Sequence, residues 1–210
     1  MADPIVYGNP FSTYTRTARM AFEEKGVAFT LDPVDHHAPE FRQTHPFGKI
    51  PAMRHDDFLL YETLAITKYL DTVFDDPALQ PTDARAVAVM HQWISATLDY
   101  FYASMVRKLV FERLVAPMQG RAANETQVAE SIPEIEYQAG VLAKALSDRP
   151  YLAGEAVTLA DLFLYAPLFY VNFTTEGRTI IDNNPALAAW LERMTERASA
   201  QQTMPPIDKL

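Results

Sequence analysis

The sequence predicts an α/β domain followed by an all-helical domain. Up to about Phe74 the apolar pattern changes from strand to helix to strand, and then to a hairpin and another helix. A short stretch with two prolines follows, and after it no convincing strand pattern appears. We therefore expect an α/β domain at residues 1–76, a linker at 77–84 and an all-helical domain at 85–210.

The first pattern is typical of two parallel strands joined by a helix. Residues 5–7 form a short apolar strand that closes at Gly8, and helical spacing begins near Ser12. Gly26 ends this helix, and alternation over residues 27–31 predicts the second strand. A strand, a crossover helix and a strand form a parallel unit, so this segment is predicted to be βαβ.

The second pattern predicts an antiparallel hairpin and a helix. Residues 33–49 are polar and rich in proline and histidine, which indicates a loop of the kind that carries function. The hairpin is predicted at 52–55 and 58–61, and a helix follows at 62–74. The order βαβ and then ββα describes a small four-stranded sheet with helices.

The second half of the chain shows helical spacing throughout. One long helix is predicted to begin near Asp83 and to break at 117–120. Asn124 and Gln127 form a capping pair for the next helix, which runs to about Leu146. This half is therefore predicted to contain helices alone.

The strongest capping signal lies near the end of the chain. Thr158 can accept from the Asp161 amide, and Asp161 can reach back to the amide of Thr158. The helix that they open, through Phe173, is apolar almost all round and is predicted to lie at the centre of the helical domain. A final helix is predicted from Asn184 towards Ala200.

Composition excludes several classes of chemistry. The 210 residues carry a net charge of −9, with 49% hydrophobic and 21% charged composition, so nucleic acid and anionic membranes are poor partners. There is no cysteine, which excludes disulfides, thiolate metal sites and any mechanism with a protein thiol nucleophile. Any thiol chemistry must use the sulfur of a ligand.

Metal and nucleotide sites are not predicted either. The five histidines show no metal-binding spacing, and with 7 glycines there is no glycine-rich phosphate loop. The N-terminus lacks a basic region followed by an apolar one, and no apolar run is long enough to span a bilayer. We expect no metal and a cytoplasmic location.

An Ile-Pro pair marks a candidate docking edge for an extended peptide. If Pro51 opens a strand, Ile50 keeps both of its backbone polar groups free to pair with another chain. An X-Pro bond at such an entry is also a place where a cis peptide is tolerated, and the cis form would turn Ile50 outward. A proline that merely punctuates a loop is the ordinary alternative.

Four segments in order resemble the cytosolic glutathione S-transferases over nearly the whole chain. The long helix and the turn after it are similar to the phi, or serine-type, subgroup at residues 109–125. The four segments are 5–12 ahead of a helix with Arg19, 45–51, 60–66, and 151–154 with 158–161.

The resemblance implies both a fold and an activity. This family has a thioredoxin-like N-terminal domain and an all-helical C-terminal domain, and it works as a homodimer in detoxification. Its members conjugate the thiolate of glutathione, a co-substrate, to hydrophobic electrophiles, and a glutathione peroxidase side activity is a further expectation. The alternative is a non-catalytic carrier or regulatory protein that keeps the fold and the glutathione site.

The resemblance also implies which residues hold the two ends of glutathione. Ile50, before a cis Pro51, would pair main chain to main chain with the cysteinyl part. Glu62 and Thr63 would hold the γ-glutamyl end, since the N-terminus of a helix favours a carboxylate and Glu62 can take the ammonium. Alone, Glu62 would be only an acidic residue favoured in a first helical turn.

Two basic residues are implied at the glycyl end. His37 and Lys49 lie where the family places groups that face the glycyl carboxylate. His36 is a weaker candidate, because an ordinary solvated loop histidine explains it as well.

Three hydroxyl groups are candidates for activating the sulfur. Ser12 stands at the start of the first helix, where its hydroxyl and the helix dipole can together stabilise a thiolate. As an ordinary residue it would only cap the helix. The subgroup resemblance favours Ser12, while Tyr7, at the position of the activating tyrosine in other classes, and Thr13 stay open as alternatives.

Overall fold

The first part of the chain forms a four-stranded mixed sheet covered by two helices. The computed structural model describes residues 3–75 and 77–207. The elements of this part are β1 (Ile5–Gly8), α1 (Thr13–Glu24), β2 (Thr30–Pro33), a 3₁₀ helix (Pro39–Gln43), β3 (Ala52–His55), β4 (Phe58–Tyr61) and α2 (Thr63–Val73). The sheet order is β2–β1–β3–β4, with β1 parallel to β2 and antiparallel to β3, and with β3 antiparallel to β4. The predicted βαβ and ββα order is confirmed.

The apolar face predicted for α1 forms the core of this part. Ala18, Ala21 and Phe22 are fully buried, as are Ile66 and Leu70 of α2. α1 contacts both β1 and α2, and α2 contacts β3 and β4. Both helices therefore cover the sheet with the side chains that helical periodicity indicated.

The second strand lies later in the chain than predicted. Alternation suggested 27–31, whereas β2 begins at Thr30. The Val27 N–H donates to the Phe22 carbonyl at 3.0 Å, and the Phe29 ring stacks on that of Phe22 with centroids 4.7 Å apart. Residues 27–29 are thus held against the end of α1, and pairing with β1 starts only beyond them.

All the secondary-structure elements in the remainder of the described chain are helices, as predicted, apart from an isolated bridge between Tyr151 and Gly154. They are α3 (Ala84–Ala96), a π-helical continuation (Thr97–Val115), α4 (Ala116–Met118), α5 (Glu125–Ala145), α6 (Leu159–Val171), α7 (Thr175–Asp182), α8 (Pro185–Thr195) and α9 (Ala198–Gln202). No helix within residues 3–75 and 77–207 is both long and apolar enough to cross a membrane.

The long predicted helix changes its hydrogen-bonding pattern halfway along. Beyond α3 it continues as a π-helix, whose bonds span five residues instead of four. Its buried positions Thr97, Phe101, Met105 and Leu109 recur every four residues, a longer repeat than that of an α-helix. The wider repeat keeps one row of side chains in the core of the helical part.

The structure divides into two compact units whose limits differ from the predicted domains at the C-terminus. The first unit runs to Gln80 and takes in Arg197–Ile207, and the second is Pro81–Glu196. The predicted helical domain, 85–210, therefore includes a segment that the structure groups with the sheet. The predicted limit at residue 76 and the predicted end at 210 lie outside the described residues.

Polar contacts with α1 hold this C-terminal segment in the first unit. Arg197 donates two hydrogen bonds of 2.6 Å to the Glu24 carboxylate, and the Ser199 hydroxyl donates to Glu24 as well. One turn into α1, the buried Arg16 donates to the Ala200 carbonyl at 3.1 Å. Sequence patterns missed this grouping because the partners lie more than 170 residues apart.

The final predicted helix is two helices, and one further helix was not predicted. Between α8 and α9, Arg197 takes an extended conformation with ψ at 141°, which ends the helical run from Asn184 to Ala200. α7 begins at a Thr174 cap, whose hydroxyl oxygen accepts from the Gly177 N–H at 3.0 Å.

Both strong capping predictions are confirmed. The Asn124 side chain accepts from the Gln127 N–H at 3.1 Å at the start of α5. Thr158 and Asp161 form the reciprocal capping box of α6. Every residue of α6 is buried, so this helix is the centre of its unit, as predicted.

A buried carboxylate fixes the turn between α4 and α5. Glu112 accepts from the Arg121 guanidinium at 2.8 and 2.9 Å and from the Asn124 N–H at 2.7 Å. These contacts hold the pKa of Glu112 at about 2, below its usual 4.5. Their contribution to stability is complete above the ordinary pKa and is lost as the pH falls towards 2.

Glu112→Gln is expected to lose this pH-dependent stabilisation. Because Gln cannot ionise, the difference in free energy of unfolding between wild type and variant should shrink as the pH is lowered from 6 to 3. Denaturant unfolding at the two pH values measures the difference, with the exposed Glu130→Gln in α5 as the matched control. If the difference in free energy of unfolding between wild type and Glu112→Gln is the same at both pH values, the low pKa of Glu112 in the folded protein is contradicted.

Candidate functional site

The strand ends that carry the predicted site residues lie together at one end of the sheet, along the direction of the strands, and this end is called the sheet edge below. In the parallel pair Gly8 is opposite Pro33, and in the antiparallel pairs Ala52 is opposite both Tyr7 and Tyr61. The end of β1, the end of β2, the start of β3 and the end of β4 therefore coincide. The segments that leave these ends contain every residue predicted for the site, and α1 and α2 both begin here.

Ser12 caps α1 at this edge. The hydroxyl oxygen of Ser12 accepts from the Thr15 N–H at 3.2 Å, and the backbone N–H of Ser12 donates to the Asn9 carbonyl at 2.9 Å. The Asn9 side chain also accepts from the Phe11 N–H at 2.9 Å, which shapes the loop that delivers Ser12. Within the described chain the proton of the Ser12 hydroxyl has no acceptor, and the side chain is partly exposed.

A glycine lets α1 start close above the end of β1. A Cβ at Gly8 would lie 2.5 Å from the Thr15 side chain, closer than real Cβ contacts allow. Only glycine fits this approach of strand and helix. The close crossing sets the N-terminus of α1, and with it Ser12, over the sheet edge.

The Ile50–Pro51 peptide bond at the entry to β3 is cis, as predicted. Pro51 is buried and Ile50 is half-buried. Among the described residues the N–H and carbonyl of Ile50 have no main-chain partner. They are available to a strand laid alongside.

Glu62 and Thr63 stand at the N-terminus of α2. Glu62 has a φ of 73°, a conformation that costs a residue other than glycine about 1–3 kcal/mol. Its side chain is 63% exposed, whereas Thr63 is buried as the first residue of the helix. α1 and α2 both start at this edge, and the positive ends of two helix dipoles favour anionic groups of a ligand there.

Three basic residues gather beside the edge. The rings of His36 and His37 lie with centroids 4.0 Å apart, and the His36 carbonyl is 3.4 Å from where a Cβ at Gly48 would stand. Burial, and then the charges of His37 and Lys49, lower the pKa of His36. The structure thus brings His36, as well as the predicted His37, near Lys49.

Sequence reasoning assigned no role to His45, which contacts Glu62. His45 is buried, and its Nε2 lies 3.8 Å from Oε1 of Glu62. Its Nδ1 accepts from the Phe47 N–H at 3.3 Å, and its ring packs on Tyr61 with centroids 4.8 Å apart. The only signal in the sequence was its place at the start of the stretch 45–51.

The two alternative hydroxyl groups are placed differently from Ser12. Thr13 is 7% exposed. The Tyr7 hydroxyl accepts from Nε of Arg54 at 3.3 Å. Tyr7 lines a cavity of about 320 Å³ together with Val34, Asp35, Ala38, Glu40, Phe41 and Thr44.

No group of three or more potential metal ligands occurs among residues 3–75 and 77–207.

Comparison with known families and sequences gives the same identity for both halves of the chain. Residues 6–78 match the N-terminal domain model of glutathione S-transferase, and residues 94–198 match the C-terminal domain model. Glutathione S-transferase F14 of Arabidopsis thaliana is 34% identical over 197 residues, which are 89% of this chain and 77% of that protein. Such relatives are plant proteins of phi, or F, type, so the subgroup resemblance is confirmed.

Solved structures of glutathione transferases are similar over most of the chain. Glutathione transferase F7 from Populus trichocarpa is 27% identical with a TM-score of 0.87, covering 95% of this chain and 97% of that one. Glutathione S-transferase I from maize, in complex with an atrazine glutathione conjugate, is 26% identical with a TM-score of 0.87, covering 96% of each chain. With both domain models matched and a relative 34% identical over 89% of the chain, the chain belongs to the glutathione S-transferase family.

Proposed function

We propose that this protein is a glutathione transferase that conjugates the thiolate of glutathione to hydrophobic electrophiles, with Ser12 as the residue that activates the sulfur. The observation that carries the proposal is the state of the Ser12 hydroxyl. Its oxygen accepts from the Thr15 N–H, and its proton has no acceptor among the described residues, so the hydroxyl can donate to a ligand. A hydroxyl proton at a helix N-terminus stabilises an anion placed above it.

Glutathione would be held as an added strand. The free main chain of Ile50 pairs with the cysteinyl residue, and this pairing sets the sulfur near the start of α1. Thr63 and the first amides of α2 receive the γ-glutamyl carboxylate, while Glu62 receives the ammonium. His37 and Lys49 face the glycyl carboxylate, and the neighbouring His36 adds to the same basic group.

The reaction needs no base on the protein. Lowering the pKa of the thiol below its free value of about 8.5 populates the thiolate at neutral pH. The thiolate gives its electron pair to the electrophilic carbon, a C–S bond forms, and the leaving group departs with its own bonding electrons. As a side activity the same thiolate would attack an organic hydroperoxide, breaking the O–O bond to release the alcohol and leave glutathione sulfenic acid. A second glutathione then converts the sulfenic acid to glutathione disulfide and water.

The geometry supports Ser12 over the two alternatives. Val6 is fully buried, so the next residue, Tyr7, faces the opposite side of the sheet, where its hydroxyl contacts Arg54. Thr13 lies buried in the first turn of α1. Ser12 is partly exposed and caps α1, whereas the equally exposed Tyr7 belongs to β1 and its hydroxyl already contacts Arg54.

We extend the proposal to the setting in which the enzyme works. It acts as a homodimer in the cytosol, in detoxification, without a metal and without nucleic acid or membrane partners. The net charge of −9 supports the last two points.

A turnover assay with glutathione and a chromogenic aryl halide tests the proposal. We expect glutathione-dependent product formation that saturates with glutathione. Binding of glutathione by calorimetry, measured beside turnover on a broad panel of electrophiles, separates an enzyme from a carrier. Tight binding without turnover on any member of the panel would favour the non-catalytic carrier, and no binding at all would refute the glutathione site.

A further inference from the structure

His45 lies against the carboxylate that is proposed to receive the ammonium group of glutathione. Its Nε2 is 3.8 Å from Oε1 of Glu62, a distance within ion-pair range but too long for a hydrogen bond. His45 is 1% exposed, while the Glu62 side chain is 63% exposed. The imidazole therefore approaches Glu62 from the protein side and leaves the solvent side of the carboxylate open to a ligand.

Local contacts favour the neutral imidazole. Because Nδ1 of His45 accepts from the Phe47 N–H at 3.3 Å, the proton of the neutral ring is assigned to Nε2, the atom nearest Glu62. Protonation would add an N–H at Nδ1 to the one at Nε2. The new N–H would then face the N–H of Phe47, so that two donors would oppose each other. The ring is also enclosed by Phe47 and Tyr61, with centroids at 6.1 and 4.8 Å.

The charges that face His45 act in opposite directions. Burial lowers the pKa of His45 below its usual 6.5, Glu62 and a hydrogen bond of the ring with the backbone of His45 itself oppose this shift, and the Lys49 ammonium adds to it. Tyr61 is the other titratable group against the ring. The lowered pKa favours an uncharged His45 at neutral pH, and the exposed side of the Glu62 carboxylate then faces solvent and a ligand.

We propose that His45 is a positioning residue for Glu62. When His45 is neutral, the negative charge of Glu62 is left to bind the ammonium group of glutathione. When His45 is protonated, its own positive charge competes with that ammonium group for Glu62. The inference rests on the proposed glutathione site. It goes beyond that site by making the γ-glutamyl subsite sensitive to pH through a residue that need not touch the ligand.

The expected effect follows from the sign of the charges. A protonated His45 neutralises Glu62 and repels a second cation, so glutathione should bind more weakly as the pH falls below 6.5. Because Glu62 is well exposed, solvent screens the interaction, and we expect a loss of affinity of about fivefold between pH 7.5 and pH 5. Protonation of His36, which is proposed to lie near the glycyl carboxylate, would act in the opposite direction.

Calorimetry with two ligands isolates the contribution of His45. S-methylglutathione has no ionisable thiol, and the matched analogue with a γ-glutaryl group in place of γ-glutamyl lacks only the ammonium. Each ligand is titrated into wild type and into His45→Asn at pH 7.5 and pH 5. Asn is the chosen replacement because its side-chain oxygen can still accept from the Phe47 N–H while the side chain cannot take up a proton.

On acidification, wild type should lose about fivefold in affinity for S-methylglutathione. This loss should be absent when the same ligand binds His45→Asn, and absent when the γ-glutaryl analogue binds wild type. The comparison of ligands needs no mutation, so equal profiles for the two ligands would overturn the inference even if His45→Asn does not fold. Equal pH profiles for the two ligands in wild type, or for the two proteins with S-methylglutathione, would overturn the inference. A variant that loses affinity equally at both pH values and for both ligands would reveal a purely structural role and also overturn it.

The outcome separates this inference from the proposed function. If wild type binds S-methylglutathione but its pH profile does not depend on His45, only the role of His45 fails. If wild type binds neither ligand at either pH, the glutathione site itself fails, and the role of His45 with it.

Discussion

Replacing Ser12 with alanine is expected to lower kcat/KM for glutathione conjugation by about 10²–10³-fold, the usual cost of losing one donor to a developing anion. Without the hydroxyl proton, the thiol pKa of bound glutathione should rise towards its free value of about 8.5. Titration of the bound thiol by thiolate absorbance measures this shift directly. The affinity for S-methylglutathione, which has no thiolate, should change little.

The helix cap must be separated from catalysis, because Ser12 also accepts from the Thr15 N–H. An alanine at the cap costs about 1 kcal/mol of stability, whereas glycine costs only a few tenths. Ser12→Gly should therefore be as inactive as Ser12→Ala while staying closer to wild type in stability. An activity that follows stability across the two variants would show that Ser12 acts only as a cap.

Tyr7→Phe is the matched test of the alternative residue. It removes a hydroxyl that contacts Arg54 on the other face of the sheet. We expect the thiol pKa of bound glutathione to stay at its wild-type value. If Tyr7→Phe raises that pKa and Ser12→Ala does not, the assignment of Ser12 is wrong.

Asp161→Ala is expected to cost the second unit about 3–5 kcal/mol of stability, a large part of the 5–15 kcal/mol typical of a folded domain. The carboxylate is fully buried, and one oxygen accepts from the Leu152 N–H at 2.9 Å and from Nε1 of Trp190 at 3.0 Å. The other accepts from the N–H and the hydroxyl of Thr158 at 2.9 and 3.0 Å. Alanine would leave buried donors unsatisfied at the start of α6 and on α8.

Denaturant unfolding followed by tryptophan fluorescence measures this loss. Asp161→Asn should have an intermediate effect on stability. The amide of Asn keeps one oxygen that can accept hydrogen bonds, but its NH₂ group replaces the other oxygen and faces groups that are themselves donors. Asp182→Ala, at the exposed end of α7, is the matched control and should stay within about 0.5 kcal/mol of wild type. If Asp161→Ala unfolds at the same denaturant concentration as Asp182→Ala, the buried network contributes little to stability.

Local patterns were sufficient wherever the cause of a structure lies within a few residues. The hairpin at 52–55 and 58–61 was predicted to the residue, because alternation of side chains and a turn specify it locally. The caps at Asn124 and Thr158 were predicted because a cap involves residues three apart. β2 was misplaced because Phe22, at the end of α1, binds the Val27 N–H and stacks on Phe29, and these contacts override the alternation of side chains.

Some residues of the candidate site could also be predicted from local motifs, and others could not. The stretch 45–51 and the pair Glu62 and Thr63 were recognisable as motifs, while the register of the sheet brings them to one edge. Sequence spacing gave no sign that His45 would touch Glu62 across the hairpin, since the two residues are 17 positions apart and belong to different segments.

The sequence by itself determined the family, the order of the elements, the helix caps and the absence of any protein thiol, since each depends on residue identity or on neighbours along the chain. Tertiary structure alone decided that the segment after Arg197 packs on α1 and that β2 starts at Thr30. It also decided that His45 is enclosed beside Glu62. The physical reason is that burial, charge pairing and stacking act through space, and their partners are chosen only when distant parts of the chain come together.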